Sequence, residues 1–168
     1  MNSLYEEIYK LKTTQRKGWL DRHVPGRIES DAEHTFSMVV LALEIMHKND
    51  LGLDELKVVK MITYHELDEI DVGDATPHDH ISFEDRLKKQ EETMHRLATK
   101  YDMPEIESLW KEFVSGDSKE AQFVREIDKY DAIKQSKIYA DKFNMPDLYE
   151  EFSSFNKQIN EKMKKLDH

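Results

Sequence analysis

The sequence predicts an all-α fold, a helical bundle in a single domain. Three observations carry that prediction. Only five glycines and four prolines occur in 168 residues, which leaves few turns. Charged residues, mostly helix formers, make up 36% of the chain. No run alternates apolar and polar residues over the length of a strand, while several segments repeat at helical spacing.

The elements follow in order. A first helix is predicted over residues 2–12, then a polar, basic loop over 13–29. Ser30 reads as an N-cap, and Glu33 three residues later completes a capping box. The helix over 31–48 is apolar around much of its circumference, through Phe36, Val39, Val40, Leu41, Leu43, Ile45 and Met46. Such a helix belongs near the centre of a bundle. The next helix is predicted over 54–69, ending before Gly73. The stretch DVGDATPHDH reads as a loop, with Gly73 and Pro77 as breakers. Helices over 82–101, 104–114 and 118–142 come next, the last two separated by Ser115-Gly116-Asp117. A final helix over about 146–166 carries Leu148, Phe152, Phe155, Ile159 and Met163 at helical spacing, which reads as one packing face.

A chain of this length makes one domain over 1–168, with a motif-bearing core over about 11–136, and buries a core without staples. There is no cysteine. That excludes disulfides, thiolate-zinc sites and cysteine nucleophiles, so any metal must be held by His, Asp, Glu or water. The formal net charge is −10, which argues against a protein that coats nucleic-acid backbone. A small nucleotide in a local basic pocket stays compatible with it. The N-terminal MNSLYEEIYKLK has no apolar signal core. The longest apolar run, Met38 to Met46, is broken by Glu44 and is too short to span a bilayer. The expectation is a cytoplasmic protein with neither a membrane nor a nucleic-acid polymer as partner.

The residues able to carry chemistry are His34, His65, Glu66 and Asp128, drawn from separate helices. On the helix over 54–69, His65, Glu66 and Glu69 fall within an arc of about 100°. Val58, Val59, Met61 and Ile62 make that helix substantially buried, so a charged pair at its end needs a partner. A divalent cation is one such partner. An ordinary His–Glu surface pair is the alternative for HELDE, an interhelical salt bridge for Asp128, and a satisfied core histidine for His34.

Four segments together resemble a known family. His34 in ESDAEHTFSMVV, His65-Glu66 in ITYHELDEIDVGDATP and Asp128 in EIDKYDAIKQS look like the H…HD…D signature of the HD-domain superfamily of all-α, metal-dependent phosphohydrolases. The run E-x3-GD from Glu69 to Asp74, with RKGW near the N-terminus, is similar to the small HD-domain 5′-nucleotidases of deoxynucleoside monophosphates. The departure is Glu66, which stands where the family has Asp. Glutamate keeps the charge but is one methylene longer.

The resemblance implies that His34, His65, Glu66 and Asp128 ligate one divalent transition metal, manganese, cobalt, iron or zinc. It assigns Glu69 to orienting or deprotonating a water, Asp74 to the leaving oxygen or the sugar, and Arg16 to the substrate phosphate. Arg22 and Arg27 read as solvated loop charges. His78 and His80 are candidates for a second metal; His23, His47, His95 and His168 belong to no constellation. The implied activity is release of phosphate from (deoxy)nucleoside 5′-monophosphates. Two alternatives stay open: a phosphohydrolase or phosphodiesterase for another small phosphorylated metabolite, and a metal-binding regulatory protein with weak turnover, which Glu66 motivates. Similar nucleotidases form dimers; Trp19, Trp110 and the last helix offer apolar surface for a homodimer or, equally, core.

Overall fold

A computed structural model describes residues 3–74 and 82–167. Among the described residues there is no β-strand, only an isolated antiparallel bridge between Gln15 and Ser30. Short helices α1 (Leu4–Glu7), α2 (Tyr9–Thr13) and α3 (Lys17–Asp21) precede the long α4 (Asp31–Lys48). Then come α5 (Glu55–His65), a single turn α6 (Glu69–Val72), α7 (Phe83–Tyr101) and α8 (Pro104–Ser115). The chain closes with α9 (Lys119–Phe143), α10 (Pro146–Phe155) and α11 (Lys157–Asp167).

Most starts are set by local chemistry. Ser30, Asp54, Ser82 and Ser118 each sit outside the helix in extended backbone and accept a backbone N–H from the first turn. Pro104 and Pro146 occupy N1, where the missing N–H costs nothing. Gly116 ends α8 at φ 71°, a left-handed conformation that glycine adopts without penalty.

Four expectations need correction. The first predicted helix is two short ones, broken at Ile8. The loop over 13–29 contains α3. The helix expected to reach residue 69 stops at His65, and the backbone turns through Glu66 to Asp68 before α6. The last helix breaks at Asn156 into α10 and α11, and Phe155 points out, 88% exposed, so it leaves the supposed packing stripe. His78 and His80 lie outside the described residues.

The central core joins α4, α5, α9 and α11 through Met38, Leu41, Ile45, Val58, Met61, Ile62, Val124, Ile127 and Met163. A second cluster, around Leu97, Ile106 and Trp110, joins α7 and α8 to the turn after α5. A third packs Trp19 and Ile28 on Tyr139 and Leu148. Both tryptophans are 2% exposed and are core, which removes them as interface surface. The α4 helix is buried on one face only. Phe36, Val40 and Leu43 on its other face are exposed.

That asymmetry is testable. Ile45→Ala removes a fully buried side chain and is expected to cost about 2–5 kcal/mol in urea unfolding. Phe36→Ala, 69% exposed in the structure, is expected to stay within about 0.5 kcal/mol. Equal costs at the two positions would contradict the one-sided burial of α4.

Candidate metal centre

The core sets the positions of the chemical side chains. His34 lies one turn before Met38 on α4, His65 closes α5 just after Met61 and Ile62, and Asp128 follows Ile127 on α9. His34 has no solvent exposure, and His65 and Glu66 are buried. Ligand atoms of His34, His65 and Glu66 all lie within 4.8 Å of one another.

The orientation of both imidazoles is fixed from behind. His65 Nδ1 lies 2.6 Å from the Ile62 carbonyl, which only accepts, so Nδ1 is the donor. His34 Nδ1 lies 2.8 Å from Asp131 Oδ2. The two ε-nitrogens therefore face forward, and neither makes a hydrogen bond among the described residues. Glu66 Oε1 stands 3.3 Å from His65 Nε2 and 3.7 Å from His34 Nε2, while Asp128 Oδ1 stands 3.2 Å from His34 Nε2. Two buried nitrogen lone pairs turned toward carboxylate oxygens repel unless a cation lies between them. Imidazole and carboxylate are the donor set that first-row divalent metals take, so these residues fit such an ion.

A proton is the substitute when no metal is supplied. Burial and Arg16 work against a charge on His34, but Asp128 and Asp131 outweigh them and push its pKa up to about 9. Burial likewise opposes the charge on Glu66 and Asp128. For Glu66, Arg16 and the two histidines more than offset it; for Asp128, Lys129, His34 and Arg16 do so. Both carboxylates stay well below their ordinary range.

Arg16 reaches this group from the segment before α3, with Nη1 2.7 Å from Glu66 Oε1. Burial disfavours its charge, but Glu66, Asp128, Asp74 and Glu29 hold its pKa above the ordinary value. The rest of RKGW anchors it. The backbone N–H of Lys17 donates to Asp74 at 2.5 Å, and Trp19 Nε1 donates to Glu29 at 2.8 Å while stacking on Phe152. Gly73, at φ 76°, makes the turn that delivers Asp74. The Asp74 pKa is raised, mainly by burial.

Glu69 sits beside the cluster. Its Oε1 accepts from Arg86 at 2.6 Å, and its Oε2 is buried with no partner among the described residues. Burial, then Asp68 and Glu66, raise its pKa, and Asp68 is raised by burial and Glu66. Arg22 and Arg27 pair with Glu151 and Glu33 respectively, away from the cluster.

Sequence reasoning missed three residues. Asp131 holds His34 from behind, and Asp68 accepts from Trp110 Nε1 at 3.0 Å. Asp31 is fully buried, and neither carboxyl oxygen has a hydrogen-bond partner among the described residues. Asp131 stands three residues after Asp128 on the same helical face, and Asp31 three before His34. That spacing was the available signal.

A family model described as HD domain matches residues 8–167. The chain belongs to the HD-domain family. It is 34% identical to 5′-deoxynucleotidase hdd1 of Schizosaccharomyces pombe, over 82% of this chain and 71% of the relative. It is 32% identical to human 5′-deoxynucleotidase HDDC2, over 86% of this chain and 71% of the relative. Among solved structures, a conserved hypothetical protein of Pyrococcus furiosus superposes with a TM-score of 0.74 at 25% identity, covering 96% of this chain and 98% of that one. The fold is also that of a protein described as a predicted metal-dependent phosphohydrolase from Magnetospirillum magnetotacticum, with a TM-score of 0.66 at 22% identity over 95% of this chain and 89% of that one. No described helix is long and apolar enough to cross a membrane.

The buried titrating groups predict a pH response. His34, Asp31, Asp68 and Glu69 all hold protons more tightly in the folded chain than in the unfolded one. Their contribution to stability is therefore full at low pH and is lost as pH rises from about 4 to about 9. After chelation, Tm is expected to fall across that window. Saturating manganese should flatten the fall, because a cation replaces the protons. A chelated protein whose Tm climbs from pH 5 to 9 would contradict this charge arrangement.

Proposed function

We propose that this protein is a metal-dependent phosphohydrolase that releases phosphate from deoxynucleoside 5′-monophosphates. The observation that carries the reading is the pair of buried ε-nitrogens on His34 and His65, without a hydrogen bond among the described residues and aimed at Glu66 with Arg16 alongside. Relatives named 5′-deoxynucleotidases over most of this chain support the substrate class.

The reading assigns one divalent cation to His34, His65, Glu66 and Asp128, with manganese, cobalt, iron and zinc all compatible with that set. Such a cation supplies Lewis-acid polarisation of a phosphoryl oxygen and a more acidic water. Arg16 then neutralises the substrate phosphate, which a site this rich in carboxylates could not otherwise admit. Glu69, whose Oε2 is buried without a partner among the described residues, is assigned to take a proton from the attacking water. As water oxygen bonds to phosphorus, the bond from phosphorus to the 5′-oxygen breaks and a proton goes to that oxygen. Asp74, with its raised pKa, is assigned to deliver it. Asp131 acts through His34, keeping its ε-nitrogen forward.

The longer Glu66 fits this arrangement. Its Oε1 reaches both imidazoles and Arg16 at once. We place the protein in the cytoplasm and keep a homodimer in the reading; with both tryptophans in the core, the apolar surface left for it is the α4 face of Phe36, Val40 and Leu43 and Phe155 of α10.

A phosphatase screen with manganese, cobalt and zinc, over deoxy- and ribonucleotides, cyclic nucleotides and sugar phosphates, tests the function. Chelator-sensitive phosphate release from deoxynucleoside 5′-monophosphates is expected; turnover confined to cyclic or sugar phosphates would refute it. Arg16→Lys keeps the charge but loses paired donors, and kcat/KM is expected to fall by roughly 100-fold. For Glu66→Asp, the reading expects slower turnover with reduced metal content. A large gain in rate at unchanged metal content would instead favour a regulatory protein.

A further inference from the structure

Asp31 is a buried group without work in this scheme. Asp31 occupies the first turn of α4, one turn before His34 and on the same helical face. It has no solvent exposure, and neither of its carboxyl oxygens finds a hydrogen-bond partner among the described residues. Its backbone is fixed, with its N–H donating to the Thr14 carbonyl beside Arg16 and its carbonyl accepting from Thr35 Oγ1. The groups that act on its charge are Glu66, Asp74, Arg16 and His34, which are the surroundings of the proposed substrate.

A buried carboxyl without partners is costly, and chains keep one where something else completes it. Capping does not explain Asp31, because Ser30 and Glu33 already close the helix start reciprocally. Once a bound cation has displaced its proton, Asp31 is an acceptor only, and a phosphate cannot be its partner. The partner must be a donor next to the phosphate. On a deoxynucleoside 5′-monophosphate the sugar has lost its 2′-hydroxyl, and the 3′-hydroxyl is the donor left close to the 5′-phosphate.

We propose that Asp31 is a specificity-determining residue whose buried carboxyl accepts a hydrogen bond from the substrate's 3′-hydroxyl. The assignment rests on the nucleotidase reading and deepens it. Asp31 orients the sugar, while Arg16 holds the phosphate. A substrate lacking the 3′-hydroxyl would leave the carboxyl buried and unpaired, and the site would reject it.

The test compares a 2′-deoxynucleoside 5′-monophosphate with its 2′,3′-dideoxy counterpart on the metal-loaded protein. Wild type is expected to favour the 3′-hydroxylated substrate by about 10- to 150-fold in kcat/KM, the range for a hydrogen bond to a charged group. Asp31→Ala should collapse that ratio towards one, and Asp31→Asn, which keeps an acceptor oxygen, should restore part of it. Asp31→Ala should also raise Tm, since it removes an unpaired buried carboxyl; a merely structural residue would lower it. Wild-type turnover of both nucleotides at equal efficiency overturns the Asp31 assignment alone, without any variant. A drop in bound metal in Asp31→Ala overturns it too, making the residue a cation ligand. No turnover of either nucleotide overturns the nucleotidase reading, and the assignment falls with it.

Discussion

His34 has no contact with solvent, and carboxylates face both of its ring nitrogens. The rest of the site depends on that clamp. Asp131 fixes the δ-nitrogen, so the ε-nitrogen points at Asp128 and Glu66. His65 is turned the same way by the Ile62 carbonyl. The result is a small volume entered by two lone pairs and several anionic oxygens, with Arg16 as the cation at its edge. Nothing in ordinary protein folding favours such a concentration of like charge. A divalent cation and a phosphate group would bring it into balance, and protons on His34, Asp31, Asp68 and Glu69 do so in their absence.

The helices serve this clamp in different ways. The α4 and α9 helices run through the central core and hold His34, Asp128 and Asp131 on rigid backbone. The α5 helix stops at His65, which lets Glu66 leave the helical path and meet Arg16 across the chain. Beyond it, Asp68 is held by Trp110 and Glu69 by Arg86. The RKGW segment is tied to the bundle at both ends, through Trp19 to Glu29 and through the Lys17 backbone to Asp74. Its arginine therefore approaches from a fixed direction.

Much of this was legible in the sequence. Helix starts at Ser30, Asp54, Ser82 and Ser118 were written in capping residues, whose action is local. The stop at His65 was not. No glycine or proline marks it, and Leu67 to Glu69 would continue a helix; the interruption comes with long-range contacts from Arg16 and Trp110. Phe36, Val40 and Leu43 misled because apolar residues imply burial only on average. Phe155 misled in the same way: it shares α10 with Leu148 and Phe152, but in the last turn of that helix it is exposed. The structure brings together His34, His65, Glu66 and Asp128, which the sequence nominated. Asp131 and Asp31 escaped because an acidic residue within a charged helix or in a first turn is unremarkable until its burial is known.

The central claim is that the ε-nitrogens of His34 and His65 turn inward because they share a cation with Glu66 and Asp128. Anomalous diffraction from manganese-soaked crystals measures this directly. The account predicts one dominant peak within coordination distance of both ε-nitrogens, with His34 Nδ1 still on Asp131. A manganese peak elsewhere, or none at saturating metal with the two imidazoles unchanged, would contradict it.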